Sequence, residues 1–256
     1  MRKESEMHDL VIVICTINRA QFLQQCLLCL TRQIWDNVQI IIVDDGSTDG
    51  TETLCDFYKG KIDIQYIKRK KNNYSSPAAA RNTGWRAANA KYISFTDPEV
   101  ILRPNTVRRC YEYHLGHPKS ITALKPIMMT EKETQRFFDI DEHCQQDRFT
   151  WLYEKDIEEF KHAENAQIQQ RKTWRDNHFS MMPKQALIDA DGVNENFTSW
   201  GFEGIDLVER ILDKGYRLYN FDNEFVYHLW HDAPRDMTLA DAQRKQFGIK
   251  NCGKHS

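Results

Sequence analysis

Two continuous apolar runs, Leu10-Val-Ile-Val-Ile-Cys15 and Val38-Gln-Ile-Ile-Ile-Val43, constrain this chain more than any other feature. Both have strand length and are rich in β-branched residues. Strands of that kind are buried on both faces, which calls for a parallel sheet covered by helices on each side. The segments between supply the helices. Arg19–Gln33 sets Phe22, Leu23, Cys26, Leu27 and Leu30 at helical spacing, Thr51–Tyr58 reads as a short helix, and Ala78–Ala90 as a helix of small residues. Ile62–Ile67 and Tyr92–Phe95 add a third and a fourth strand. The alternation predicts an α/β fold, a Rossmann-like, mostly parallel sheet flanked by helices. Ligands of such sheets bind beyond the carboxyl ends of the strands. Thr16 with Asn18, Asp44 with Asp45, and Asp97 with Glu99 follow three of these strands, so all are expected to converge on one crevice.

The second half is less regular. Thr130–Trp174 is dominated by Glu, Asp, Gln and Lys with scattered aromatics and reads as helices and loops of a substrate-facing extension. The chain then tightens into Trp200-Gly-Phe-Glu-Gly-Ile-Asp206, a helix through Leu212, a stop at Gly215, a short strand Tyr216–Asn220, and Val226-Tyr-His-Leu-Trp-His231. With 256 residues, 41% hydrophobic and 28% charged, the chain suits one large α/β unit, or one domain with a substrate-binding extension. A net charge of −2 supplies no basic field, so nucleic acid is not expected as a partner. Of the seven cysteines, Cys26 and Cys29 stand at CxxC spacing but within an apolar helical pattern, and all read as reduced core thiols. No run approaches the roughly 18 apolar residues of a membrane span, and MRKESEMHD is too polar for a secretory signal, so a cytoplasmic location is expected. The basic run Lys68-Arg-Lys-Lys71 leaves room for peripheral contact with an anionic membrane, or is a solvated loop.

Asp97-Pro98-Glu99 places two carboxylates at the end of a strand with a stiff proline between them. A diphosphate repels carboxylates, so paired acids at a phosphate site make physical sense only with Mg²⁺ or Mn²⁺ between them. Taken alone, the same residues fit a solvated strand-end turn. A nucleotidylyltransferase or dehydrogenase is disfavoured, because the first strand is followed neither by a Gly-rich loop with Lys nor by GxGxxG.

VICTINR at 13–19, IIVDDGSTDGT at 41–51, SSPAAARNTGW at 75–85 and FTDPE at 95–99 occur in order, and together they resemble the inverting family 2 glycosyltransferases. The likeness is strong over residues 10–110. Gly192–Pro234 resembles the acceptor end of galactosyl- and N-acetylgalactosaminyltransferase-like relatives. The resemblance implies a GT-A-type fold with a nucleotide-sugar-binding half (1–110) and an acceptor-binding half (111–256) of one catalytic domain. It implies a UDP-sugar donor and a glycan, lipid-linked or peptide acceptor. On this likeness Thr16, Asn18, Arg19, Asp44, Asp45 and Ser47 line the nucleotide pocket, and Arg81 approaches the donor phosphates, where a guanidinium fork at a helix start favours anions. Asp97 contacts ribose and metal, and Glu99 stands where most relatives have Asp and ligates the ion. His228 and His231 offer a further ligand. Imidazole beside carboxylates suits Mn²⁺ better than Mg²⁺.

Inverting transfer needs a general base at the acceptor hydroxyl. The family segment Trp-Gly-Gly-Glu-Asp-x-Asp places an Asp base where this chain has Gly204, so Glu203 or Asp206 must substitute, with Glu203 the nearer, or the base lies elsewhere. Trp200 and Gly201 fall at the acceptor entrance, where an indole can stack on a sugar ring. Two other readings stay open: a sugar-nucleotide-binding protein without turnover, which the two departures would allow, and a retaining transferase on the same fold.

Overall fold

The computed structural model describes residues 7–70, 76–140, 148–153, 168–171, 178–198, 201–232 and 237–249. The first apolar run forms β1 (His8–Thr16) and the second β2 (Val38–Asp44). From Leu10 to Ile14 every side chain of β1 is fully buried, as a strand covered on both faces requires. Helix α1 (Ala20–Leu30) buries Leu23, Cys26, Leu27 and Leu30, the stripe set by their spacing. Then follow α2 (Thr51–Tyr58), β3 (Ile64–Lys68), α3 (Pro77–Ala87) and β4 (Ala90–Thr96). Ser76 caps α3 by accepting from the Ala79 N–H at 3.2 Å, and Pro77 opens its first turn. The sequence carries α3 to Ala90, but Ala88 turns extended, freeing Ala90 to begin β4.

After β4 come β5 (Val100–Leu102), α4 (Thr106–Gly116), β6 (Ser120–Met128), α5 (Glu131–Asp139), β7 (Ile168–Arg171), β8 (Phe179–Pro183), α6 (Lys184–Asp189), α7 (Glu203–Asp213), β9 (Arg217–His228) and α8 (Met237–Gln246). The strands join one sheet in the order β3-β2-β1-β4-β8-β6-β9-β5, with β7 against β9. The first four are mutually parallel, in the expected Rossmann-like half. β8 runs antiparallel to both β4 and β6, and β6 pairs in parallel with β9. One sheet therefore passes through both halves of the chain.

Two apolar layers cover its faces. Leu10, Ile12 and Ile14 pack with α1 and β5, while Val11, Val13, Ile41 and Val43 pack with α3, α6 and α7. Gly84 brings α3 close to the sheet: a Cβ there would run into Val13 Cγ1.

Two expectations for the second half change. The short strand expected over Tyr216–Asn220 and the strand-like Phe225-Val-Tyr227 are not separate: both fall in the single β9, which runs from Arg217 to His228. The intervening Glu224 is buried inside that strand, accepting from Thr106 Oγ1 at 3.1 Å and paired with Arg109. A short strand, β7, also falls within the stretch read as helices and loops.

The described cysteines, Cys15, Cys26, Cys29, Cys55 and Cys110, are free thiols, and burial pushes those of Cys55 and Cys110 up to about 12. Among the described residues no helix is long and apolar enough to cross a membrane. In the basic run, Lys68 pairs with Glu52 at 2.8 Å and Arg69 with Asp45 at 2.7 Å, while Lys71 lies outside the described residues.

Candidate active site

The parallel register brings the ends of β1 and β2 side by side, with Thr16 opposite Asp44. Beyond them the two loops are laced together. The Asp45 N–H donates to Thr16 O at 2.9 Å, Asn18 N–H to Ser47 Oγ at 2.8 Å, and Thr48 N–H to Asn18 Oδ1 at 2.8 Å. Asn18 adopts a left-handed φ of 51°, which asparagine tolerates better than most residues. Asp44 is buried and shapes the turn: Oδ1 accepts from Gly46 N–H (3.1 Å) and Ser47 N–H (2.7 Å), and Oδ2 accepts from Tyr66 Oη at 2.5 Å. Thr16 Oγ1 is buried with no hydrogen-bond partner among the described residues, a polar atom left over at the end of β1.

β1 also pairs with β4, so the acidic turn after β4 opens beside the same loops. Asp97 Oδ2 lies 2.9 Å from His178 Nδ1, and Asp97 Oδ1 lies 3.6 Å from Arg81. Glu99 Oε1 lies 2.9 Å from Arg19 Nε and 3.9 Å from His231 Nε2. The backbone carbonyl of Glu99 accepts from Leu229 N–H at 3.0 Å, which docks the end of β9 onto the acidic turn. The His228 ring stands 4.4 Å from that of His178 and 5.4 Å from that of His231, centre to centre.

Two overlapping ligand sets result, Asp97–His178–His228 and Glu99–His228–His231, each with its ligand atoms within 4.8 Å of one another. The electrostatics point the same way. Burial and then the charge of Asp97 raise the Glu99 carboxyl to about 7. Burial also works against the Asp97 charge, but the hydrogen bond and charge of His178, with Arg81, hold that carboxyl down at about 2. Burial, and then His178, lower the His228 imidazole to about 4, which keeps it neutral and able to ligate. Its Nδ1 is buried without a hydrogen-bond partner among the described residues. A neutral imidazole with a spare buried nitrogen beside two carboxylates fits a divalent cation.

Across Arg81 from the acidic turn, Glu203 opens α7 and is buried. Its Oε1 accepts from Arg81 Nη1 at 2.5 Å and its Oε2 from Gly201 N–H at 2.8 Å. Gly201 and Phe202 both adopt positive φ (109° and 65°), turning the chain sharply into the helix. Arg81 thus links the acidic centre to Glu203. Its neighbour Asn82 is also engaged: Nδ2 donates to Val193 O and Glu195 Oε1, both at 2.7 Å, and Oδ1 accepts from Trp85 Nε1 and Val193 N–H. Asp206 is held elsewhere, by Arg210 at 2.7 Å. Trp200 lies outside the described residues.

Arg19, Arg81, Asp97, Glu99, Glu203, His228 and His231 therefore form one linked cluster beside the Thr16–Asn18 and Asp44–Ser47 loops. Asp206 is not tied into it. His178 belongs to it and was not anticipated. The strand-end rule looks only at the carboxyl ends of parallel strands, whereas His178 precedes β8, which runs antiparallel to β4 and so begins where β4 finishes. A histidine directly before the apolar run Phe179-Ser-Met-Met-Pro183 was the available signal.

A family model described as glycosyl transferase family 2 matches residues 11–189, and a second, described as the N-terminal domain of galactosyltransferase, matches residues 178–232. The second span runs from His178 to Asp232, just beyond His231. Chondroitin synthase of Escherichia coli is 26% identical over 257 residues, covering 89% of this chain and 35% of that protein. Validoxylamine A glucosyltransferase of Streptomyces hygroscopicus subsp. jinggangensis is 27% identical over 233 residues, covering 82% and 51%. The chain thus spans about a third to a half of the length of these relatives. Among solved structures, TarS 1–349 of S. aureus in complex with UDP-GlcNAc superposes with a TM-score of 0.63 at 15% identity, covering 90% of this chain and 60% of that one. TarS 1–349 with UDP gives 0.60 at 14% identity, covering 86% and 60%. The shared architecture is that of a GT-A-type transferase.

Proposed function

The chain belongs to glycosyl transferase family 2, and from that premise we propose that it moves a hexose or N-acetylhexosamine from a UDP-sugar to a glycan, lipid-linked or peptide acceptor, with inversion and with a divalent cation, Mn²⁺ before Mg²⁺. The observation that carries the reading is the convergence of Asp97, Glu99, His178 and His228, two of them carboxylates, around a buried imidazole nitrogen that lacks a partner. The named complexes of TarS with UDP and UDP-GlcNAc support uridine as the donor base.

Thr16, Asn18, Asp44, Asp45 and Ser47 form the nucleoside end, with the orphan Thr16 hydroxyl free to meet the donor. Asp97 and His228, with His178 and the Glu99–His231 pair, would hold the cation. The cation, when bound, supplies positive charge against the departing diphosphate. Arg81 adds a guanidinium on the same side. Glu203 takes the proton from the acceptor hydroxyl, held in place by Arg81 and Gly201 N–H. Asp206 is the substitute if Glu203 only positions. Trp200 and Gly201 border the acceptor.

One observation favours the reading without turnover: both carboxylates near the missing base are already in ion pairs, Glu203 with Arg81 and Asp206 with Arg210. Incubation with a panel of UDP-sugars, Mn²⁺ and sugar acceptors, followed by NMR of the product's anomeric configuration, separates the cases. Donor consumption giving the inverted anomer is expected, abolished by EDTA. A retained anomer would reject inversion. Mn²⁺-dependent UDP binding with no turnover on any acceptor would favour the binding protein.

A further inference from the structure

Arg19 sits at the start of α1, and its guanidinium is committed to the acidic centre rather than to the helix. Nε lies 2.9 Å from Glu99 Oε1, Nη2 lies 3.0 Å from His231 Nδ1, and Nη2 also donates to the Asp232 carbonyl at 3.3 Å. Glu99 and His231 are two of the three members of one candidate ligand set. The conflict is chemical as well as steric. A guanidinium only donates, so His231 Nδ1 must be the acceptor, and a neutral imidazole then carries its proton on Nε2. That nitrogen, 3.9 Å from Glu99 Oε1, cannot ligate a cation while it bears a proton. Arg19 therefore takes a carboxylate oxygen and fixes the imidazole tautomer that closes this set. The Asp97–His178–His228 set carries no such block on His228, whose Nδ1 has no partner among the described residues.

We propose that Arg19 is a displaceable internal counter-ion: it occupies Glu99 and His231 until a divalent cation claims them, and the released guanidinium then turns to the diphosphate of the donor. This rests on the metal-dependent, nucleotide-sugar reading above. Its consequence is an order of events, in which cation binding ejects one positive group and presents it to the next ligand. Arg19 adjoins Asn18 at the mouth of the crevice and is partly exposed, so the released side chain remains beside the loops that form the nucleoside end.

The test measures Mn²⁺ and UDP binding by calorimetry on the full chain for the wild type, Arg19→Gln and Arg19→Lys. Without nucleotide, Arg19→Gln should bind Mn²⁺ about fivefold more tightly, the upper worth of one partly exposed ion pair; at saturating Mn²⁺ it should bind UDP about fivefold more weakly. Opposite signs in the two arms are the signature, since a merely structural role would weaken both. Arg19→Lys, a cation without the fork, should fall between. Equal or weaker Mn²⁺ binding by Arg19→Gln overturns the exchange while leaving the metal reading intact. Absence of Mn²⁺ binding in the wild type and both variants overturns the metal reading and the exchange with it. Independently of any variant's folding, the Arg19 Nε–Hε resonance of the wild type should move when Mg²⁺ is added, and an unmoved resonance at saturation overturns the proposal.

Discussion

At the residue scale, the site turns on side chains whose surroundings decide what they can do. His178 is the clearest case, because among the described residues its ring bonds Asp97, through Nδ1 at 2.9 Å. Its replacement in His178→Ala should weaken Mn²⁺ binding by about tenfold, the usual cost of losing a ligand's support, with little change in melting temperature. Isothermal titration with Mn²⁺ checks this; unchanged affinity would assign His178 to packing. For the proton acceptor, Glu203→Gln should cut turnover by at least about a hundredfold with little change in UDP affinity. If Asp206→Asn does so instead, the role moves to Asp206. Asp97 and Glu99 were legible because they follow an apolar strand at a spacing that lets both face one ion. The grip of Arg81 on Glu203 was not, since the partners are separated by 122 residues and no local pattern joins them.

At the element scale, α3 is pinned by its smallest residue. Gly84→Ala would drive a methyl group into Val13 and to 3.1 Å from Val43, both fully buried. The sheet cannot yield cheaply, so a loss of about 1–3 kcal/mol in urea unfolding is expected. Gly192→Ala meets a second obstacle, a φ of 68° with Asn82 Oδ1 2.7 Å from the added carbon. It should loosen the Val193–Glu195 segment from α3, read as faster proteolysis there. The parallel strands β1, β2 and β4 could be read from the sequence because burial on both faces leaves an unbroken apolar run. β9 could not, because its middle carries Asn220, Asp222, Asn223 and Glu224, residues that normally signal a turn. Glu224 escapes that rule by pairing with Arg109 and Thr106 from α4, a compensation only the folded chain supplies.

At the scale of the whole molecule, stability should depend on acid in a defined window. His114 is fully buried between Ser120 and Thr122, and burial lowers its imidazole from 6.5 to about 4. The unfolded chain therefore binds more protons than the native one between those values. Stability should be complete above pH 6.5 and fall as the pH drops toward 4, by roughly 2–3 kcal/mol from this group. Urea midpoints at pH 7 and pH 4.5 measure the slope, which His114→Gln should flatten; an unchanged slope would reject the assignment. One feature of the fold reaches further. Arg81 and Asn82 are consecutive on α3, yet the first holds Glu203 and the second holds Val193 and Glu195. On the proposed reading, a donor that draws on Arg81 and an acceptor that meets the Glu203 and Val193–Glu195 segments act on one helix, so the two should bind cooperatively. Thermodynamic reciprocity then requires that an acceptor change donor affinity by the same factor as the donor changes acceptor affinity. On that reading a substitution that shifts donor affinity should also shift acceptor affinity, and titrations of each substrate with and without the other measure the coupling.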